Sequence, residues 1–479
     1  MVNTINDTLN DSQSECNLDI ETPLLLYIES TPVKQWIQEA VEETNAFKIN
    51  LSEVATPYTL VEEMLTSIPP SIFPDHFTQW KVLDAGCGAG NLSLVLYRHL
   101  FIKYGFKYRH HILNNVLHMV DINPVRIEEI RRRFPCKNIY KHDFTEPMPS
   151  SIDKKYDFVI SNPPFIITTH NNKKETIWPL FFQRCMHLLR PRGHLLIIIP
   201  SIWMKPEHYM YDIITEYRIH HIKCFTNNEA NNLFRGDART PMCYMLIENA
   251  KNTSTMKLYD NLCKRYISTR IYPSLPIPMY FPKIMQKIYP YLLQYGSLQS
   301  HMIKTNCPSP KIHFQSEKNP SHVHPNIQTC RIKQKTPELV VSYSDKETPY
   351  SGKRKVVLAN KMYGIPYYDA NGSYGISTRD NYIFVNQSEE SCMCIMNYLS
   401  RRIMYIIYET TRYRMGYLEK YAFEWVPNIL KIPISNKSIV TDEILEDFFQ
   451  LTKEEKQWIE SYVANKRARM DHFYGNITQ

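Results

Sequence analysis

Short, almost wholly apolar runs alternate along the first half of the chain with stretches whose apolar side chains recur every three or four positions. The runs Val82-Leu83-Asp84, Val116–Val120, Tyr156–Ser161, His194–Pro200, Ile219–Phe225 and Met242–Ile247 predict strands. Between them, Leu60/Val61/Met64/Leu65, Leu92/Val95/Leu96/Leu100 and the segment Phe181–Leu189 predict helices with one apolar face. This βα rhythm implies an open parallel sheet covered by helices on both sides. It fades after about residue 251. Residues 307–350 carry six prolines among Ser, Lys, His and Gln, which predicts extended loops or an irregular subdomain. Residues 389–415 return to helical spacing, with Met393, Met396, Leu399, Ile403, Ile406 and Ile407 inward. A last helix opens on the capping box Thr452-x-x-Glu455 and buries Trp458, Ile459 and Val463.

Four segments follow: an acidic tail and helix over 1–55, an α/β domain over 56–250, a mixed α+β domain over 251–440 and a helical segment over 441–479. Within the first, Pro32–Asn45 puts Trp36, Ile37, Ala40 and Val41 on one helical face. Charge sharpens the division. Residues 1–55 hold ten acids against Lys34 and Lys48, a balance of −8; with +8 for the whole chain, the remainder carries +16. A basic remainder suits a polyanionic partner. Neither a membrane-length apolar run nor a basic-then-apolar leader is present in the 479 residues, so a soluble intracellular protein is expected. Eleven scattered cysteines suit reduced thiols. With about 55 residues ahead of the α/β domain, a fused nuclease domain is not expected.

Glycine distribution brings in chemistry. Of 13 glycines, three fall in Gly86-Cys87-Gly88-Ala89-Gly90, directly after the strand that ends near Asp84. Such a loop turns tightly and lets a ligand approach the backbone. The second strand ends in Asp121, placed to accept from ribose hydroxyls, and the third is followed by Asp143-Phe144, an acid and a ring suited to adenine. The glycine spacing lacks the third position of the dinucleotide fingerprint. An adenosine cofactor without a second nucleotide, S-adenosylmethionine, fits best. Upstream, Thr56 is placed to cap a helix that has Pro57 in its first turn.

The fourth strand ends in Asn162-Pro163-Pro164-Phe165. Taken in order, Thr56-Pro57, Asp84-x-Gly86-x-Gly88-x-Gly90, Asp121, Asp143-Phe144 and Asn162-Pro163-Pro164-Phe165 resemble the amino-group DNA methyltransferases of restriction-modification systems. The arrangement is similar to the gamma class of N6-adenine enzymes. That resemblance implies a Rossmann-like class I methyltransferase domain followed by a target recognition domain. It implies that Thr56 and Pro57 lie near the methionine part of the cofactor, that Asp84 with Gly86, Gly88 and Gly90 cradle it, and that Asp121, Asp143 and Phe144 hold its ribose and adenine. Duplex DNA is the implied partner, acting with a flipped base, and a monomer without metal is expected. Phe165 stands where tyrosine is commoner, and the glycine loop is generic to many methyltransferases.

The acceptor chemistry can also be argued from the residues. An exocyclic amine is a poor nucleophile because its lone pair is delocalised into the ring. Asn162 and the carbonyl of Pro163 can each accept one amine hydrogen, while Phe165 stacks on the base. Planar amide nitrogens make related demands, so a protein N5-glutamine or RNA N6-adenine methyltransferase stays open, as does an inactive DNA-binding relative. Pro135-Cys136 precedes the third strand and is read as an ordinary thiol. Cys307, His313, His322, His324 and Cys330 match no familiar zinc spacing. Candidate phosphate contacts are Arg235, Arg239, Lys353, Arg354, Lys355 and Arg379, with Arg401, Arg402, Arg412 and Arg414 further along and Tyr363, Tyr367, Tyr368 and Tyr374 nearby.

Overall fold

The computed structural model describes residues 54–467, except 151, 153–154, 169–170, 237, 239, 306–308, 334–335, 361–365, 378–380, 415–416 and 435–439. The acidic segment and its expected helix, Arg239, Cys307, Tyr363 and Arg379 lie outside the described residues, as do the side chains of 331–338 and Cys330. The chain divides into two compact units, one up to Gly193 and one from His194.

The first unit begins with α1 (Tyr58–Thr66), followed by β1 (Val82–Ala85), α2 (Asn91–Tyr104), β2 (Leu117–Asp121), α3 (Pro124–Arg133), β3 (Ile139–Lys141) and β4 (Tyr156–Ser161). A small hairpin of β5 (Ile166–Thr168) and β6 (Lys174–Thr176) then precedes α4 (Trp178–Leu188). All four residues of β1 are buried, as are five of the six in β4, the pattern of strands covered on both faces. They pair in parallel in the order β4-β1-β2-β3, with Val82 level with both Leu117 and Phe158. From β1 the chain therefore winds outward through β2 and β3, then returns to place β4 on the other side. Ligands of open α/β sheets bind at the carboxyl ends of strands where the order reverses in this way. Here those ends carry Asp84 and Ser161.

Local sequence explains the connections. Asn123 caps α3 by accepting from the Val125 N–H, with Pro124 next in the first turn, where its missing N–H costs nothing. Gly90, in the left-handed region at φ 83°, starts α2. Leu60, Val61, Met64 and Leu65 are the buried residues of α1, as their spacing predicts.

The second unit takes in most of β7 (Leu189–Pro200), then α5 (Met210–Thr215), β8 (Tyr217–Phe225), α6 (Asn227–Leu233), β9 (Met242–Lys251), β10 (Thr255–Asp260), β11 (Arg265–Arg270) and α7 (Pro282–Tyr295). Its first sheet runs β7-β9-β8-β10-β11; β9 is antiparallel to both β7 and β8. Two four-stranded sheets follow. One has the order β12-β19-β16-β17, from β12 (Ile303–Lys304), β16 (Lys355–Ala359), β17 (Pro366–Asp369) and β19 (Asn381–Val385). The other has β13-β15-β14-β18, from β13 (Phe314–Gln315), β14 (His324–Lys333), β15 (Thr336–Ser344) and β18 (Gly375–Ile376).

The long β14–β15 hairpin corrects the expectation of irregular loops over 307–350. Pro325 and Pro337 each occupy the second position of their strand, where a missing donor is tolerated. The chain closes with α8 (Glu389–Leu399), α9 (Arg402–Thr410), α10 (Asp442–Phe448) and α11 (Lys453–Arg467). The capping box of α11 forms as read: Thr452 N–H donates to Glu455 Oε2 at 2.8 Å and Glu455 N–H to Thr452 Oγ1 at 3.3 Å. Among the described residues no helix is long and apolar enough to cross a membrane.

Candidate functional site

Ser161, the last residue of β4, donates its hydroxyl to the Ala85 carbonyl at 2.6 Å and so ties the end of β4 to the end of β1. Asn162 follows directly. Its Nδ2 donates twice, to the Val54 carbonyl at 3.2 Å and to Thr56 Oγ1 at 2.9 Å. Two bonds use up the donors of a primary amide, which leaves Oδ1 as the end available to a substrate, and as an acceptor only. Pro163 is buried, while Pro164 and Phe165 are half-buried. The Phe165 carbonyl accepts from Ile177 N–H at 3.1 Å and closes the β5–β6 hairpin.

Thr56 takes a different role from the cap read for it. The N-cap of α1 is Pro57, with no side-chain bond to the helix. Thr56, only 4% exposed, spends its hydroxyl on Asn162, and its carbonyl accepts from Asn91 Nδ2 at 3.0 Å. Two asparagines, one directly after β4 and one at the start of α2, therefore hold the backbone over 54–56. Asn91 was missed by the sequence reading; its only signal is an amide at the first helical position after the glycine loop.

Gly86, Gly88 and Gly90 all have positive φ, at 75°, 50° and 83°. A Cβ on Gly86 would meet the Phe181 ring at 3.3 Å in a backbone conformation L side chains rarely adopt. The N–H groups of Gly86 and Cys87 both donate to the Val120 carbonyl, and Gly88 N–H donates to Asp121 Oδ2 at 2.8 Å. Asp121 Oδ1 accepts from Asn123 N–H, also at 2.8 Å. Burial raises the Asp121 pKa and these N–H donors oppose the shift.

Asp84 is 1% exposed. Its Oδ2 accepts from the N–H and the hydroxyl of Ser93 in α2, at 3.1 and 2.7 Å. Its Oδ1 is buried without a partner, and so is Asn91 Oδ1. Burial pushes the Asp84 carboxyl up to about 7, with the Ser93 bonds pulling the other way. A left-handed glycine turn with two unpartnered buried acceptors beside it fits a ligand that donates hydrogen bonds and carries positive charge.

Asp143 Oδ1 is engaged by the N–H and hydroxyl of Thr145, at 2.8 and 2.6 Å. The end of the third strand is joined to Asp121 by His142 N–H, which donates to the Asp121 carbonyl. Phe144 is buried at 3% exposure with its ring 5.0 Å from Phe181, the ring that also backs Gly86. It is thus part of the packed floor beneath the glycine turn. Cys136 is a buried thiol pushed up to about 12 by burial, with Sγ donating to the Leu117 carbonyl, in keeping with an ordinary structural cysteine.

In the second unit the nominated basic residues divide sharply. Arg235, Lys353 and Arg354 are exposed, Arg354 pairing with Glu389 at 3.1 Å. Lys355 is fully buried: Nζ lies 2.6 Å from Asp369 Oδ2 and also donates to the carbonyls of Tyr350, Lys353 and Tyr374. Its charge is committed inside the fold, which corrects its reading as a phosphate contact. Arg402 reaches Asp442, Glu443, Glu446 and Glu460, and Arg412 pairs with Glu409. Tyr367 and Tyr374 pack on a cluster of Ile327, Val357, Ile376, Ile383 and Val385.

Residues 66–223 match the Methyltransferase small domain. This segment spans the glycine turn, both strand-end acids and Asn162-Pro163-Pro164-Phe165, and leaves Thr56 and Pro57 just outside. The ribosomal RNA small subunit methyltransferase C of Haemophilus influenzae strain PittGG is 30% identical over 136 residues, 28% of this chain and 36% of that protein. The protein of the same name from Enterobacter sp. strain 638 is 35% identical over 95 residues, 20% of this chain and 24% of its own length. The chain thus spans only 36% and 24% of the length of these curated relatives. A solved nuclease-deletion mutant of the Type ISP restriction-modification enzyme LlaGI, in complex with a DNA substrate mimic, overlaps 84% of this chain and 55% of its own at 11% identity with a TM-score of 0.49.

Proposed function

We propose that the chain is a methyltransferase that uses S-adenosylmethionine and acts on the exocyclic amine of a nucleic-acid base, with adenine N6 in duplex DNA as the acceptor. The observation that carries this reading is the anchoring of Asn162: with Nδ2 bound to Val54 and Thr56, Oδ1 is left to receive an amine hydrogen. The family match over 66–223 supports the methyl-transfer class.

When bound, S-adenosylmethionine supplies an electrophilic methyl group. Asp84, Asn91 and the Gly86–Gly90 turn would hold its amino-acid part, and Asp121 its ribose. The protein's own task is to raise the nucleophilicity of the amine. Asn162 Oδ1 and the Pro163 carbonyl accept its two hydrogens, which favours a pyramidal nitrogen whose lone pair is free to react. The ring of Pro164 fixes the backbone so that this carbonyl needs no reorganisation. Phe165 stacks on a base turned out of the helix and offsets part of the unstacking cost, a few kcal/mol.

A second reading, methylation of a base in RNA, is favoured by the ribosomal RNA methyltransferases among the relatives. One experiment separates the two. The purified chain is incubated with methyl-labelled S-adenosylmethionine and, in parallel, duplex DNA, small-subunit ribosomal RNA and a protein extract, and labelled nucleosides are identified after digestion. N6-methyladenine from DNA is expected, lost in Asn162→Ala. Label only in RNA establishes the second reading, and label only in protein overturns both.

A further inference from the structure

A cluster in the second unit lies outside all the chemistry above. His194 of β7 is paired in register with Glu248 of β9, and Arg218 of β8 is opposite the same glutamate. His220 sits where the β8–β9 register slips between Ile219 and His221, so it is an extra residue re-aimed by a bulge. Its Nε2 is 3.1 Å from Glu248 Oε2, and the His194 and His220 rings are 5.3 Å apart. One ligand atom from each of His194, His220 and Glu248 falls within 4.8 Å of the others. Glu248 is only 2% exposed, which separates it from the solvated acids that cluster on any surface.

We propose that His194, His220 and Glu248 bind one divalent transition-metal ion of the zinc class and clip β7, β8 and β9 together. Two imidazoles and a carboxylate are a donor set for zinc, whose bonds of about 2.0–2.2 Å require only a modest closing of these three side chains. Magnesium and calcium prefer oxygen alone. His194 is the sixth of twelve residues in β7 and His220 the fourth of nine in β8. The trio thus lies along the strands and away from their carboxyl ends, where ligands of α/β sheets bind, so the ion serves the fold rather than a reaction. Arg218 Nη1, 3.2 Å from Glu248 Oε2, now balances the carboxylate. Its side chain is 38% exposed and can swing into solvent as the metal takes over that charge.

The test uses the full chain, stripped by chelator and titrated with zinc chloride, with calorimetry for affinity and thermal unfolding for stability. One equivalent is expected to bind and to raise the unfolding temperature. His220→Gln and Glu248→Gln should each weaken binding on the order of 100-fold, since even outer-shell partners cost about 10–100-fold. Should these variants fold poorly, cobalt(II) added to the unaltered chain gives an independent reading: absorption of nitrogen and oxygen coordination without a thiolate charge-transfer band. No zinc binding, binding unchanged in His194→Gln, or a thiolate band would overturn the proposal.

Discussion

Two regions nominated by their polar residues behave in opposite ways. Around the glycine turn, side chains are held firmly but keep hydrogen-bonding capacity in reserve: Asp84 Oδ1 and Asn91 Oδ1 are buried without partners, and Asn162 is anchored through its nitrogen alone. At Lys355 and Arg402 capacity is spent internally. Lys355 is enclosed by Asp369 and three carbonyls, and Arg402 is surrounded by four acids. Unspent capacity in a buried place is costly for folding and is tolerated where a ligand later uses it. Satisfied charge marks architecture.

The contrast can be broken most severely at Lys355. Lys355→Met leaves Asp369 buried and uncompensated, so it should destabilise the protein by about 3–5 kcal/mol in denaturant unfolding, and adding Asp369→Leu should restore much of that. A phosphate-binding lysine would give the reverse: normal stability and weakened polyanion affinity. In the first region, Asn162→Ala should lower the methyl-transfer rate by roughly 10²–10³-fold, the scale for losing one oriented polar group, with S-adenosylmethionine affinity unchanged by calorimetry. Thr56→Val removes the acceptor that orients Asn162 while keeping its shape. A rate loss of about tenfold is expected, about 1.4 kcal/mol, recovered by Thr56→Ser.

Asp84 sharpens the comparison through pH. Its folded pKa of about 7 lies above the ordinary 3.8, so its contribution to stability is present in full below the lower value and is lost as pH rises towards the higher. Asp84→Asn should remove that part of the decline in pH-dependent unfolding, and an unchanged slope would show the carboxyl to be solvated. The smallest effect belongs to Lys353 and Arg354. Neutralising both should alter stability by no more than about 1 kcal/mol, the range for exposed ion pairs. The salt slope of nucleic-acid binding should fall by up to roughly two phosphate contacts.

Much of the first unit was legible because its signals are local. Continuous apolar runs located β1, β2 and β4, and Gly86, Gly88 and Gly90 adopt the left-handed backbone for which glycine is suited. What could not be read depends on partners far away in sequence. Thr56 carries equally good local reasons to cap a helix and to orient an asparagine, and only the folded chain, with Asn162 beside it, decides between them. Lys355 and Lys353 are both basic residues next to a strand, yet one is enclosed and the other solvated. The β14–β15 hairpin was hidden by proline density, whose meaning depends on position within a ladder.

The bonds from Asn162 to Val54 and Thr56 bear on where this catalytic module should be considered to begin. Family similarity starts at residue 66, but the oxygen atoms that set the orientation of Asn162 come from residues 54 and 56. A fragment trimmed to the start of the family match would keep the sheet and the glycine turn and lose the brace that makes the amide point one way. Its asparagine would be free to rotate, presenting donor and acceptor in turn. The chemical edge of the module therefore lies ahead of the whole of α1, while the family match begins only at its last residue, and cloning boundaries, chimeras and grafts should respect the chemical one.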